Sequence, residues 1–212
     1  MDVTARTAED VLVKRTNPAF TLIELLVVIS IIAVLIGLAF PAFQGVQNSA
    51  KRTQAKNDLV QLVTAVNAFY TEYGRYPVPA ATADDGYTVG VSGTPSRALL
   101  EALRGLEPAS PSALNQRQIV FINPPEAKDQ TNPKSGIKTT DGQWYDPWGK
   151  PYVMRIDANY DNKVPNPYSA NSGAGSADVR HGVIAYSLGK DGKGGSGSKD
   201  SGDGKDDVIS WQ

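Results

Sequence analysis

The chain has no cysteine and a single histidine, His181. The first absence removes disulfides, thiolate metal sites and cysteine nucleophiles. The second removes histidine-rich zinc sites and paired-histidine relays, and leaves His181 as a structural or exposed residue. A basic surplus is missing as well: the formal net charge is −1, so nothing is available to neutralise phosphates and nucleic acid is not expected as the partner. No nucleophile elbow, phosphate loop or acid pair in a strand context is present, so an enzyme is not expected.

What the chain does have is one long apolar run. From Phe20 to Phe40 there are 21 residues, of which only Thr21, Glu24 and Ser30 are polar. As a helix the run is about 31 Å long at ~1.5 Å per residue, enough to span a bilayer core. Lys14 and Arg15 precede it. That charge bias predicts a cytoplasmic N-terminus and a C-terminal bulk that crosses the membrane. A secretory signal peptide has a shorter core, ~7–15 residues, ending at small residues; Phe40, Pro41, Ala42 and Phe43 provide no such end. In a plain anchor Glu24 is a cost, on the order of 2.5–3.5 kcal/mol at mid-helix, and the run holds no Lys, Arg or His to pair with it.

A cut between Ala19 and Phe20 supplies a partner. The new α-amino group is then a cation one helical turn from Glu24. In a bundle of such helices the carboxylate of one copy meets the amine of its neighbour. That pairing neutralises two charges that are costly alone in apolar surroundings, and a slipped subunit leaves both unpaired, so the pair sets register.

The stretch "FTLIELLVVISIIAVLIGLAFPAF" resembles the N-terminal signature of the type IV pilin superfamily, which comprises pilins and the pseudopilins of type II secretion. The resemblance implies a prepilin peptidase that cuts before Phe20 and methylates its new amine, with Glu24 guiding assembly. Where the family usually carries Gly before the cut, this chain has Ala19, preceded by Pro18.

Beyond Pro41, residues 42–76 read as a helical stem. Val46, Ala50, Thr53, Leu59, Leu62, Val63, Val66, Phe69, Tyr70 and Tyr73 recur at intervals of about three and four. Lys51, Arg52, Lys56, Asn57, Asp58, Gln61 and Asn67 fall largely on other faces. Gly74 and Pro77 predict the stop. The aromatic cluster of Phe69, Tyr70, Tyr73 and Tyr76 reads as core and stem contact.

Residues 77–212 are expected to form the globular part. In "TPSRALLEALRGLEP", Thr94 is the expected N-cap, Pro95 the first helical residue and Gly105 the end. Residues 117–123, from "RQIVFINP", read as a strand, and the rest of 77–140 as surface loop. Asp146, Pro147, Trp148 and Gly149 follow type I turn preferences. "PYVMRID", "HGVIAYSLG" and "DVISWQ" read as strands. The fold class is α+β: a long N-terminal helix, membrane-spanning in its first half, packed on a small antiparallel sheet.

From Gly189 to Asp207 the chain carries seven Gly, five Asp, four Lys and three Ser. That composition alone suits a flexible linker. However, Val208, Ile209 and Trp211 behind it call for burial, so the loop is tied at both ends. Its carboxylates are hard oxygen donors, suited to calcium with its ~6–8 oxygen ligands. "DANYDN" places Asp157, Asn159 and Asp161 at EF-hand spacing, but Asn162 stands where that loop needs Gly and Tyr168 where it needs Glu.

"DPWGKPY" and "YSLGKDG…DDVISW" resemble the major pseudopilins of type II secretion systems, with 80–140 and 157–180 as candidate insertions. That resemblance implies a bound calcium that orders the C-terminal loop. Asp191, Asp206, Asp207 and the Leu188 carbonyl are its implied ligands; Asp200 and Asp203 fall outside the family pattern. It also implies a leader at 1–19, an assembly helix at 20–41 and a periplasmic stem at 42–76. The expected role is a structural subunit of a pilus-like fibre, anchored in the bacterial inner membrane and assembled in the periplasm. Its expected partners are copies of itself, prepilin peptidase, minor pseudopilins and an inner-membrane assembly platform. A type IV pilin, or a membrane-anchored calcium-binding module that does not polymerise, remains the alternative.

Overall fold

The computed structural model describes residues 20–79, 86–168, 170, 172–194 and 197–212, apart from the side chains of residues 41 and 42. The expected leader 1–19, with Lys14, Arg15 and Ala19, lies outside the described residues. The chain divides into two units between Val46 and Gln47.

Helix α1 runs from Leu22 to Tyr73. Pro41 lies inside it and does not end it, although a proline there removes one hydrogen-bond donor and crowds the carbonyl four residues earlier. Gly74 does end it, with φ +66 and its N–H on the Tyr70 carbonyl at 2.8 Å. That left-handed cap is open to glycine without the Cβ penalty.

In the first unit the large apolar side chains are exposed, including Phe20, Ile23, Val28, Ile32, Leu35, Leu38 and Phe43. Among the described residues, α1 is the one helix long and apolar enough to cross a membrane, by length and composition.

The second unit is built on a four-stranded antiparallel sheet. Its strands are β1 (Tyr87–Val89), β4 (Val153–Ile156), β7 (Val183–Ser187) and β8 (Val208–Ile209), in the order β1-β4-β7-β8. Small two-stranded sheets pair β2 (Gly136–Ile137) with β3 (Trp144–Tyr145), and β5 (Val164–Pro165) with β6 (Asp178–Val179). Helix α2 spans Arg97–Leu103, and a 3₁₀ turn spans Gly202–Gly204.

Register explains why β7 is apolar without alternation. Val183 pairs with Ile156 and Ala185 with Met154, and these four residues share one core with Ala55, Leu59, Leu62, Val66 and Phe69 of α1. Tyr186 pairs with Val153; both join Ile209, Tyr168 and Ala174 in a second core. A strand covered on both faces has no polar face to show. Each fully buried large apolar side chain contributes about 1.5–3 kcal/mol.

Four expectations need correction. Residues 117–123 are not a strand. The Phe121 and Ile122 amides bond the Leu103 carbonyl at the end of α2, and the Ile119 amide bonds the Asn115 side chain, so the backbone is satisfied without a ladder. Helix α2 begins at Arg97 with Ser96 at the cap position, because Thr94 is engaged in a bridge to Val91. Outside the expected helix, the stretch 77–140 is more than surface loop: it provides β1 and β2, and buries Val89, Ala113 and Ala127. Asp58 does not face solvent; it is 9 % exposed and bonded to Tyr152.

Candidate functional site

Two clusters concentrate the functional chemistry, one at the head of α1 and one in the acidic loop. Thr21 stands just before the first residue of α1, and Glu24 is the third helical residue. The Thr21 N–H and hydroxyl both donate to Glu24 Oε2, at 2.9 and 2.6 Å, and the Glu24 N–H donates to Thr21 Oγ1 at 3.3 Å. This reciprocal arrangement is a capping box, which satisfies helix N–H groups that have no partner within the helix. Glu24 therefore has a local partner within its own chain. Phe20 is exposed beside it.

The acidic loop brings Asp191, Asp206 and Asp207 together, with one carboxylate oxygen of each within 4.8 Å of the others. Asp206 Oδ2 accepts the Lys190 and Asp191 amides at 2.5 and 3.1 Å. Asp191 Oδ1 accepts the Lys193 amide. Asp207 is 2 % exposed. Its Oδ2 accepts a 2.6 Å hydrogen bond from the Tyr168 hydroxyl, while its Oδ1 is buried and has no hydrogen-bond partner among the described residues. Burial pushes the Asp207 carboxyl up to about 6; the Asp206 and Asp191 charges add to the rise, and Tyr168 and Lys199 oppose it.

A buried carboxylate oxygen without a donor, beside two more carboxylates, is costly unless a cation compensates it. The donor set is all oxygen, the chemistry of a hard divalent cation. The residues therefore fit calcium. The Leu188 carbonyl closes a turn by accepting the Gly192 amide at 3.2 Å; a carbonyl has a second lone pair to offer. Asp200 and Asp203 are not in the cluster. The Asp200 carboxylate lies where a Cβ on Gly173 would stand, and Asp203 faces Lys193 at 4.0 Å on the surface. Asp157, Asn159 and Asp161 turn inward on their own backbone: the Asp157 carboxylate accepts the Asp161 and Asn162 amides, and the Asp161 carboxylate accepts that of Lys163.

Three residues of these sites carried no flag in the sequence pattern. Thr21 is detectable as the first position of a T-x-x-E capping box. Tyr168 has no local signal, since its partner is remote in sequence. Gly194 is a close-approach glycine: a Cβ there would stand 2.5 Å from Asp207 Oδ2 and 2.7 Å from Leu188 Cδ2.

Comparison with known proteins agrees with the head of the helix. The family described as Prokaryotic N-terminal methylation motif matches residues 14–40. The type II secretion system core protein G of Aeromonas hydrophila is 28% identical over 141 residues, 66% of this chain and 74% of that protein. Core protein G of Pectobacterium carotovorum is 40% identical over 58 residues, 27% of this chain and 37% of that one. The type IV major pilin protein PilA of Myxococcus xanthus is 43% identical over 67 residues, 30% of each chain. No solved structure matches. Residues 14–40 thus carry the N-terminal methylation motif, and the chain is similar to type II secretion core proteins G and to type IV pilins. The similarity is more extensive to the type II secretion core protein, which matches 66% of the chain, than to the Myxococcus xanthus pilin, which matches 30%.

Proposed function

We propose that this chain is the major pseudopilin of a type II secretion system, a non-catalytic structural subunit that polymerises into a periplasmic pseudopilus. The observation that carries this reading is the exposed apolar surface from Phe20 to Phe40 at the head of the chain's long helix, with a carboxylate at Glu24. Such a surface in water is unstable and calls for lipid or for neighbouring copies of itself. One helix can serve both states: held in the inner membrane before assembly, and packed among its copies after it. Removal of residues 1–19 by prepilin peptidase would place the Phe20 amine beside Glu24 of a neighbour. Minor pseudopilins and an inner-membrane assembly platform are the remaining proposed partners.

The acidic loop is proposed to hold calcium through Asp191, Asp206, Asp207 and the Leu188 carbonyl. The ion would supply positive charge to a carboxylate cluster that has too few donors of its own. The protein's own part is to tie the loop to β8, which follows Asp207 directly.

Intact mass and N-terminal sequencing of the membrane-extracted protein test the first reading: a start at N-methylated Phe20 is expected, and a start at Met1 or beyond Phe40 overturns it. The 43% identity to a type IV major pilin favours a pilin as the second reading. A deletion strain distinguishes the two: loss of protein secretion supports the pseudopilin, and intact secretion with loss of surface fibres supports the pilin.

A further inference from the structure

The candidate metal cluster has an asymmetry at Asp207: one carboxylate oxygen is taken and the other is left free. The residue that takes it comes from outside the loop. Tyr168 lies between β5 and β6, in the stretch 157–180, and is 3 % exposed. Its ring forms a triangle with those of Tyr186 and Trp211, each with its centroid 6.2 Å away and the two 6.4 Å from one another. Its backbone is held too. The Tyr168 amide donates to Asn166 Oδ1 at 3.1 Å, and Asn166 Nδ2 donates to the Ala174 and Ser176 carbonyls at 2.9 and 2.8 Å. Trp211 Nε1 donates to the same Ala174 carbonyl at 2.9 Å. The far arm of this flap is tied to the acidic loop, where the Lys199 amide meets the Ser172 carbonyl at 2.7 Å.

We propose that Tyr168 is the positioning residue of the metal site: its hydroxyl holds Asp207 Oδ2 and thereby presents Oδ1 as the ligand oxygen. This rests on the reading that the Asp191–Asp206–Asp207 cluster takes calcium. A phenol has one proton to donate, and a buried ring packed against Tyr186 and Trp211 keeps that proton in one place. The carboxylate therefore cannot rotate both oxygens toward a cation, and Asp207 acts through a single atom. Outer partners that orient ligands in this way are worth about 10- to 100-fold in metal affinity. The 157–180 stretch is thus part of the site, although it contributes no ligand.

The test measures calcium affinity of the full-length protein in detergent micelles by competition with a chromophoric chelator. Unfolding by denaturant is measured in parallel, with calcium and with excess chelator. The variants are Tyr168→Phe, which removes only the hydroxyl, and Trp211→Phe, which disturbs the ring packing and leaves the hydroxyl in place. Tyr168→Phe is expected to bind calcium about 10- to 100-fold more weakly and to lose part of the calcium-dependent gain in stability. Trp211→Phe is expected to weaken calcium binding less than Tyr168→Phe does, because the hydroxyl remains and only its support is loosened; a Trp211→Phe loss equal to that of Tyr168→Phe overturns the role of the hydroxyl. Equal affinity in Tyr168→Phe and wild type overturns the positioning role. So does an equal loss of stability with and without calcium, which marks the hydroxyl as merely structural. If Tyr168→Phe does not fold, Asn166→Ala carries the test: it frees the loop that aims the hydroxyl, and unchanged affinity in it overturns the proposal. Absence of calcium binding in the wild type overturns the underlying calcium reading instead, and this proposal with it.

Discussion

The Tyr152 hydroxyl donates a 2.7 Å hydrogen bond to Asp58 Oδ2 in the core, joining α1 to the residue that leads into β4. Burial raises the Asp58 carboxyl pKa; the Tyr152 hydrogen bond opposes the rise, and the charge of Asp146 adds to it. As pH rises, the native state therefore gives up this proton later than the unfolded chain does. By linkage, that contribution to stability is complete below the unfolded value of about 3.9 and is lost as pH rises through the folded one. Asp58→Asn has no such titration. The melting temperature of wild type minus that of Asp58→Asn should fall as pH is raised from about 4 to about 7. A difference that is flat or rises over that range would contradict this account of Asp58.

Lys56, on α1, holds the segment that follows β8. Its Nζ donates to the Ile209 carbonyl at 2.7 Å, to that of Ser210 at 3.4 Å and to that of Gln212. Lys56→Met keeps the aliphatic stem and removes these bonds. Hydrogen bonds to a charged group are worth about 1.5–3 kcal/mol. A loss of that order is expected in urea unfolding, with faster hydrogen exchange at Ser210, whose amide bonds the Ala185 carbonyl.

Glu24 has two separable duties, capping α1 and carrying charge. Glutamine also serves at the third position of a capping box, so Glu24→Gln keeps the cap and removes the charge. Normal membrane insertion with loss of sedimentable fibres is expected. Fibres at wild-type yield would mean that the cap, not the charge, is what assembly requires.

Calcium removal should destabilise the second unit by an amount that grows with the logarithm of calcium concentration over its dissociation constant. A ligand at 100 times its dissociation constant stabilises by about 2.7 kcal/mol. A chelator is therefore expected to lower the wild-type melting temperature. Asp191→Asn and Asp207→Asn should each shrink that difference toward zero. Calorimetry with and without calcium checks both.

Elements that depend on local pattern are legible in the sequence. Helix α1 follows from apolar spacing and Gly74, and β4, β7 and β8 from short apolar runs between turns. The Asp146–Gly149 turn shows its expected bond, Gly149 N–H to Asp146 O at 3.1 Å. Elements decided by remote partners are not legible. Strand β1 is only three residues and exists by pairing with β4. Residues 117–123 have strand-like composition, but their amides are claimed by Asn115 and the end of α2. Asp58 looks like a surface residue until Tyr152, 94 positions later, is placed beside it.

The acidic loop is intermediate. Its composition points to oxygen chemistry, and the structure gathers the same three aspartates that the family resemblance implies. What composition cannot reveal is which carboxylate is buried. Asp207 and its neighbours are similar in sequence, and only the packing of Tyr168, Tyr186 and Trp211 sets it apart.

The contacts of Arg52 and Lys56 have a mechanical consequence. Arg52 holds the Lys205 carbonyl at 2.6 Å, and Lys56 holds carbonyls from Ile209 onward. Tension transmitted along the stem therefore meets the final segment early, before it reaches the middle of the sheet. Unravelling from that side must break the clasp between the two ends of the domain's chain first, so both ends resist together.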